Sequence, residues 1–147
     1  MARGGAGVAL ALALLVPGLA RASDASFRGA LGTWSHRIGV DARGIGLSAV
    51  NRHPRRLTAR ALHFHADALR ARRALSSVAV SSERGGRAKR LALAAFRQYV
   101  LVGALWARAG RARVAHHLTG AATDARLAAA HARRGNALLI AAGKLLR

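Results

Sequence analysis

Apolar residues recur along the chain with the period of an α-helix. From about residue 24 to residue 50, and again from about residue 57 to residue 75, they follow alternating steps of four and three. The two stripes are Phe27, Leu31, Trp34, Ile38, Asp41 and Ile45, and Leu57, Ala61, Phe64, Ala68, Ala71 and Leu75. Such steps place each stripe on one face of a helix. The pattern therefore predicts two amphipathic helices, separated by a break at Asn51–Pro54.

The third segment, about residues 87 to 109, is apolar on nearly every face. A helix of that kind lies at the centre of a bundle or crosses a membrane. Arg97 and Gln98 stand in the middle of the segment, where a charge is costly in lipid. We therefore expect a central core helix, with a membrane span as the alternative.

The last segment carries a helical stripe that continues from Val114 to Leu146. One helix over residues 111–147 would be about 54 Å long, roughly 20 Å longer than the second helix. A break near Gly110 or Thr119-Gly120 would restore matched lengths, and a kink is the alternative. Arg133-Arg134-Gly135 also has the composition of a helix end.

The composition agrees with a helical protein. Only two prolines and abundant alanine, leucine and arginine favour helix, and only Ser77–Ser81 has a weak strand pattern. The chain has no cysteine, which excludes a disulfide framework. A chain of 147 residues is expected to form one domain. The predicted fold is therefore all-α: a single-domain, up-down antiparallel bundle of about four helices joined by short links.

The N-terminus has the pattern of a secretory signal peptide. Arg3 precedes a run of small apolar residues, and Ala20-Arg21-Ala22 offers a cleavage site. The run is shorter than the ~20 residues that span a bilayer. We expect residues 1–22 to be removed near Ala22, and residues 23–147 to form a secreted or extracytoplasmic bundle. An uncleaved anchor and a misassigned start codon are the alternatives.

The chain carries 25 lysine and arginine residues against 5 acids, a formal net charge of +20. Only Lys89 and Lys144 are lysines, which indicates a codon bias towards arginine. That bias does not explain the shortage of acids, which indicates an anionic partner. Basic clusters gathered near helix ends could form caps that face a polyanion, and a dispersed solvated surface is the equal alternative. The residues predicted to bind a polyanion are Arg52, Arg55, Arg56, Arg60, Arg84, Arg87, Lys89 and Arg90.

Asp41 lies on the apolar stripe of the first helix. A buried carboxylate needs a partner. Arg97 in the apolar third segment is the candidate, with Gln98 as a second donor. The sequence therefore predicts a buried Asp41–Arg97 pair that fixes the helix register. The alternatives are exposure of either residue and a polar ligand pocket that includes Tyr99.

Seven histidines raise the question of a metal site. His63 and Asp67 are four residues apart on the polar face of the second helix, which makes them a possible pair of ligands. The candidates for a third ligand are His36, His116 and His131. No H-E-x-x-H or Glu-x-x-His motif is present. A solvated face with Asp67 paired to Arg70 or His63 is the favoured interpretation, so we predict no metal and no cofactor.

The sequence does not favour catalysis, because five acids, no cysteine and no phosphate-binding glycine motif leave few catalytic combinations. Trp34 and Trp106 lie on helical stripes and are expected to pack in the core. We expect an exported, non-catalytic protein that binds an anionic envelope polymer, a lipid surface or an acidic protein. A nucleic-acid-binding protein is the alternative if the N-terminus is not a signal. A metal or small-ligand carrier is the second alternative.

Overall fold

The computed structural model describes the backbone of residues 16–147 and the side chains of residues 23–147. Four helices occupy this range, and it contains no strand. The helices are α1 (Val16–Val50), α2 (Pro54–Ser77), α3 (Glu83–Val114) and α4 (Leu118–Leu145). The predicted all-α bundle of four helices is confirmed. The weak strand pattern at Ser77–Ser81 covers the last residue of α2 and the loop that follows it.

The predicted signal peptide is only partly within the described part of the chain. Residues 1–15 lie outside it, and α1 begins at Val16 and continues beyond Ala22. Removal of residues 1–22 therefore stays a prediction. None of the helices between residues 16 and 147 combines the length and the apolarity that a membrane crossing requires.

Short loops join successive helices, which therefore run antiparallel. The loops are residues 51–53, 78–82 and 115–117. The first and third loops lie at one end of the bundle, where Gly110 of α3 packs against Pro54 and Thr58 of α2. The second loop lies at the other end, where the backbone N–H of Ser81 donates to Oδ1 of Asp24 at 3.1 Å.

The last segment of the chain is broken at residues 115–117. The break lies between the two predicted points, because Gly110 is inside α3 and Thr119-Gly120 is in the first turn of α4. His116 turns the chain with a left-handed backbone, at φ 60°. The helix end suggested by Arg133-Arg134-Gly135 does not form, since α4 continues to Leu145.

The predicted stripes of α1 and α2 form much of the core. All six apolar stripe residues of α2 are buried, as are Phe27, Leu31, Ile38 and Ile45 of α1. One polar residue departs from the prediction. The sequence places Asp67 on the solvated face of α2, but its side chain is 0% exposed. Arg37 and Arg70 both donate to its carboxylate and cover it.

As predicted for the third segment, α3 is the central helix and packs along both α2 and α4. Gly103 brings α2 and α3 close together, because a Cβ added there would lie 2.7 Å from Cβ of His65. α1 packs mainly on α2 and approaches α4 less closely. A groove therefore runs between α1 and α4 along the side of the bundle.

Candidate functional site

Arginines are concentrated at the end of the bundle where the first and third loops meet. We name this end, with its adjoining helix turns, the basic cap. Its basic residues are Arg52, Arg55, Arg56, Arg111 and Arg113, and its histidines are His53, His116 and His117. Arg55, Arg56 and Arg113 line one shallow cavity together with His53 and His116. The start of α2 and the turn between α3 and α4 thus present their cations side by side.

Large aliphatic side chains are exposed on the same basic cap. Leu47 and Val50, in the last turns of α1, are 65% and 79% exposed. Val114 and Leu118 are 45% and 66% exposed. The helical stripe in the sequence predicts that Val114 and Leu118 lie on a buried face. They are in solvent because the turn at residues 115–117 lies between them and interrupts the helix face that they would have shared.

The basic cap has no acidic residue. The sequence contains none between Asp41 and Asp67, and none between Glu83 and Asp124. Asp124, further along α4, is held by Arg108, whose Nε donates to Oδ2 at 2.7 Å. The hydrogen bonds from Arg108 lower the pKa of Asp124. The carboxylate of Asp124 therefore pairs with Arg108 and does not neutralise the positive charges of the basic cap.

Two residues of the basic cap adopt the left-handed backbone conformation that favours glycine. Arg52 has φ 53° and His116 has φ 60°. That conformation costs a residue with a Cβ atom roughly 1–2 kcal/mol. Each loop therefore places a nitrogen-bearing side chain at its tip despite the backbone strain, a pattern that is frequent at functional sites.

The eight residues predicted to bind a polyanion do not form one surface. Arg52, Arg55, Arg56 and Arg60 belong to the start of α2 and the loop before it, and Arg84, Arg87, Lys89 and Arg90 to the start of α3 at the opposite end. At that opposite end the Nζ of Lys89 donates to the carbonyl oxygens of Ser76 and Val78, each at 2.7 Å. Lys89 thus closes the second loop, and the acids Asp24 and Glu83 stand at the same end.

The predicted pair of Asp41 and Arg97 does not form. Asp41 faces α2, where its Oδ2 lies 3.4 Å from Nδ1 of His63 without hydrogen-bond geometry. Arg97 is exposed and lines a shallow cavity between α2 and α3. Gln98 contacts another residue, because its Oε1 lies 2.7 Å from Nδ1 of His131. The stripe of α1 turns Asp41 towards α2 because α1 packs mainly on that helix.

Asp41, His63 and Asp67 form a cluster whose possible ligand atoms lie within 4.8 Å of one another. Both oxygens of Asp67 already accept hydrogen bonds, one from Arg37 Nε and one from Arg70 at 2.8 Å. Burial raises the pKa of Asp67, but the hydrogen bonds and charges of these arginines outweigh it and lower the pKa below 3.8. A metal ion would have to displace a guanidinium group, so the geometry favours the arginine-paired interpretation. The predicted third ligands, His36, His116 and His131, lie outside this cluster.

The groove between α1 and α4 holds a cavity of about 450 Å³, lined mainly by small and apolar residues. At its floor the hydroxyl of Tyr99 donates to Oδ1 of Asn136 at 2.7 Å. Burial raises the pKa of Tyr99 to about 12. Asp41, Arg97 and Tyr99 do not line one pocket in the described part of the chain. Tyr99 lies in the groove and donates a hydrogen bond to Asn136 of α4, whereas Arg97 lines the cavity between α2 and α3.

Both tryptophans pack against the core, as expected, and both are partly exposed. Trp106 lines the groove. Trp34 lies beside Arg37, whose guanidinium carbon is 5.5 Å from the ring centroid. No protein-family model, curated protein or solved structure gives a significant match to this chain.

Proposed function

We propose that the protein binds anionic membrane surfaces through the basic cap. The observation that carries the proposal is one acid-free end of the bundle with five arginines and four exposed large aliphatic side chains. Arginine is attracted to anionic lipid headgroups, and aliphatic side chains enter the boundary between headgroups and acyl chains. On this proposal the bundle docks end-on and the aliphatic side chains add to the electrostatic attraction.

The exposed leucines and valines favour a lipid surface over a nucleic acid or an acidic polymer. The phosphates or carboxylates of a polyanion satisfy arginine side chains, but they offer aliphatic side chains no apolar phase. Val50, two residues before Arg52, is 79% exposed, and Leu118, next to the His116-His117 turn, is 66% exposed. A membrane interface uses both kinds of side chain at the same depth.

Vesicle co-sedimentation with the full chain tests the proposal. Vesicles of equal parts phosphatidylcholine and phosphatidylglycerol should bind the protein, and vesicles of phosphatidylcholine alone should bind it far more weakly. Binding should weaken as the salt concentration rises, because exposed charges are screened. Each arginine near an anionic surface contributes ~1 kcal/mol, so the triple variant R52Q/R55Q/R56Q should bind roughly a hundredfold more weakly.

The chain offers a matched control for each part of the surface. The variant R73Q/R87Q/R90Q removes the same charge from the opposite end and should bind almost as the wild type does. Leu118→Ser should weaken binding, whereas Leu127→Ser, 45% exposed elsewhere on α4, should not. Equal losses in the two triple variants would mean that net charge alone governs binding and that the basic cap is not the site. Binding to duplex DNA without any binding to anionic vesicles would support the nucleic-acid alternative and overturn the proposal.

A further inference from the structure

We infer a second binding site in the groove between α1 and α4, where the acyl chain of a single-chain anionic amphiphile, such as a fatty acid, would lie. The hydrocarbon chain occupies the cavity of about 450 Å³, and the anionic head group lies towards Arg28. The groove runs along the side of the bundle and away from the basic cap. The inference does not depend on membrane docking by the basic cap.

Small residues of α1 leave this groove open. Gly32, Gly39 and Gly46 recur at intervals of seven residues, so they lie close to one face of the helix. A Cβ atom added to any of the three would meet no atom within 4 Å. The facing wall on α4 includes Ala132 and Leu139. The cavity is within the range of roughly 300–1,000 Å³ that is usual for small-molecule sites.

The lining of the cavity suits a hydrocarbon chain. Aliphatic and aromatic side chains, Trp106 among them, form most of its wall. The hydroxyl groups of the lining already donate hydrogen bonds, from Tyr99 to Asn136 and from Ser35 to the carbonyl oxygen of Leu31 at 2.6 Å. A hydrocarbon chain would displace water from apolar surface, which is favourable, and would break neither of these hydrogen bonds.

The groove continues from this cavity to an end that is rich in arginine. Ser35 and Leu139 line both the main cavity and a second cavity further along the seam. The second cavity reaches Arg28 and Arg147, and these two residues also line a third cavity together with Arg84. An amphiphile with its chain in the main cavity can therefore direct its head group towards guanidinium groups.

The carboxylate that lines the third cavity is already hydrogen-bonded. Asp24 accepts hydrogen bonds from the hydroxyl of Ser82 and from the backbone N–H of Ser81. The hydrogen bond from Ser82 is the largest cause of a lowered pKa at Asp24. The charged side chains that line the third cavity are thus three arginines and one engaged carboxylate. This balance of charge favours an anionic amphiphile over a neutral or cationic one.

The size of the cavity selects the amphiphile over a helix from a second copy of the chain. A helix has a diameter of about 10 Å, so 20 Å of helix occupies on the order of 1,500 Å³. That volume is larger than the cavity. An acyl chain is much thinner and can follow the seam without moving α1 away from α4.

Quenching of Trp106 by palmitate that carries bromine on its chain tests the inference. The chain has two tryptophans, so Trp34→Phe leaves Trp106 as the reporter. Below the micellar concentration, the brominated palmitate should quench Trp106 saturably, and unlabelled palmitate should reverse the quenching. Gly39→Leu fills the cavity and should weaken binding about tenfold, as the loss of roughly two buried methylene groups would. Gly29→Leu, on the exposed side of the same helix, is the matched control and should bind as its parent does.

Head-group recognition has its own pair of variants. Arg28→Gln should weaken palmitate binding about threefold, as expected for an exposed ion pair, and should leave hexadecanol binding unchanged. Arg126→Gln, exposed on α4 outside these cavities, is the control. Quenching that does not saturate, or equal affinities for the Gly39→Leu and Gly29→Leu chains, would overturn the inference. A dimer in sedimentation that Gly39→Leu dissociates would show that a second copy occupies the groove, and would overturn it as well.

Discussion

Replacement of Gly103 by alanine tests the packing of α2 on α3. The added Cβ would lie 2.7 Å from Cβ of His65 and 2.8 Å from its Cα and its backbone nitrogen. Two of these three atoms belong to the backbone of α2, so no change of rotamer can move them away. His65 is also held from α3, because its Nδ1 lies 2.9 Å from the carbonyl oxygen of Val100. The two helices would have to separate or bend locally.

A matched substitution isolates the size of this effect. Alanine in place of glycine stabilises a helix by about 1 kcal/mol, and overpacking destabilises a core by about 1–3 kcal/mol. Gly29 is exposed on α1, and a Cβ added there meets no atom within 4 Å. Alanine at this position therefore stabilises the helix without overpacking. Gly29→Ala should therefore raise the free energy of unfolding by about 1 kcal/mol. The free energy of unfolding of Gly103→Ala should be lower than that of Gly29→Ala by about 1–3 kcal/mol. We expect a value near the upper end of this range because the added Cβ contacts backbone atoms.

Urea unfolding followed by far-ultraviolet circular dichroism measures this difference. The midpoints should separate while the slope of free energy against urea stays constant, since neither variant changes the surface that unfolding exposes. Equal free energies of unfolding for Gly103→Ala and Gly29→Ala would refute the reasoning. That result would mean that α2 and α3 do not approach each other closely at Gly103.

Two further predictions concern buried titratable groups. Asp67→Asn should lower the free energy of unfolding by about 1–2 kcal/mol at neutral pH, a modest loss because the arginines that bind Asp67 are more than half exposed. The pKa of Asp67 is lowered from 3.8, so its contribution is complete above that pH and is lost as the pH falls through the lower folded-state pKa. The free energy of unfolding, measured by urea titration at a series of acid pH values, should therefore fall less steeply with decreasing pH for Asp67→Asn than for the wild type. An equally steep fall in both proteins would argue against the pairing. Tyr99, the single tyrosine, should ionise near its pKa of about 12. Its raised pKa stabilises the fold below pH 10, and that contribution is lost as the pH rises through about 12. Ultraviolet absorbance that follows a native-state transition near pH 10 would contradict the burial of this phenol.

The number of helices and their buried faces were predictable, because large apolar side chains at steps of three and four can be buried only on one side of a helix. Phe27 and Phe64 lie on such stripes and are fully or almost fully buried. The position of the last break was harder to predict. Glycine is the usual signal for a turn, so Gly110 and Gly120 indicated the break. The chain turns instead at His116, which adopts a left-handed backbone conformation.

Contacts between helices were much less predictable than the helices themselves. Periodicity places Asp41 on the buried side of α1, but it carries no information on whether α2 or α3 covers that side. Asp67 lies beside the stripe of α2, where burial depends on whether a neighbouring side chain can reach it. Arg37 from another helix does reach it, because an arginine has a long flexible stem. Such a contact follows from the packing of the helices and leaves no local pattern.

The groove and the basic cap did leave signals in the sequence, although of another kind. Gly32, Gly39 and Gly46 repeat every seven residues on the face of α1 that borders the groove. The acid-free intervals, residues 42–66 and 84–123, contain both loops of the basic cap. Neither signal involves large apolar residues, so a search for helical stripes passes over them.

The positions of the acids explain why positive charge collects at the basic cap. Asp67 and Asp124 bind arginines along the bundle, and Asp24 binds the loop at the opposite end. The arginines of the basic cap therefore repel one another without compensation, which opposes the close approach of its two loops at low ionic strength. An anionic ligand that binds there removes part of this repulsion, and a ligand that binds only the folded protein raises its stability. If the basic cap is the binding site, anionic lipid should therefore raise the melting temperature of the wild type more than that of R52Q/R55Q/R56Q.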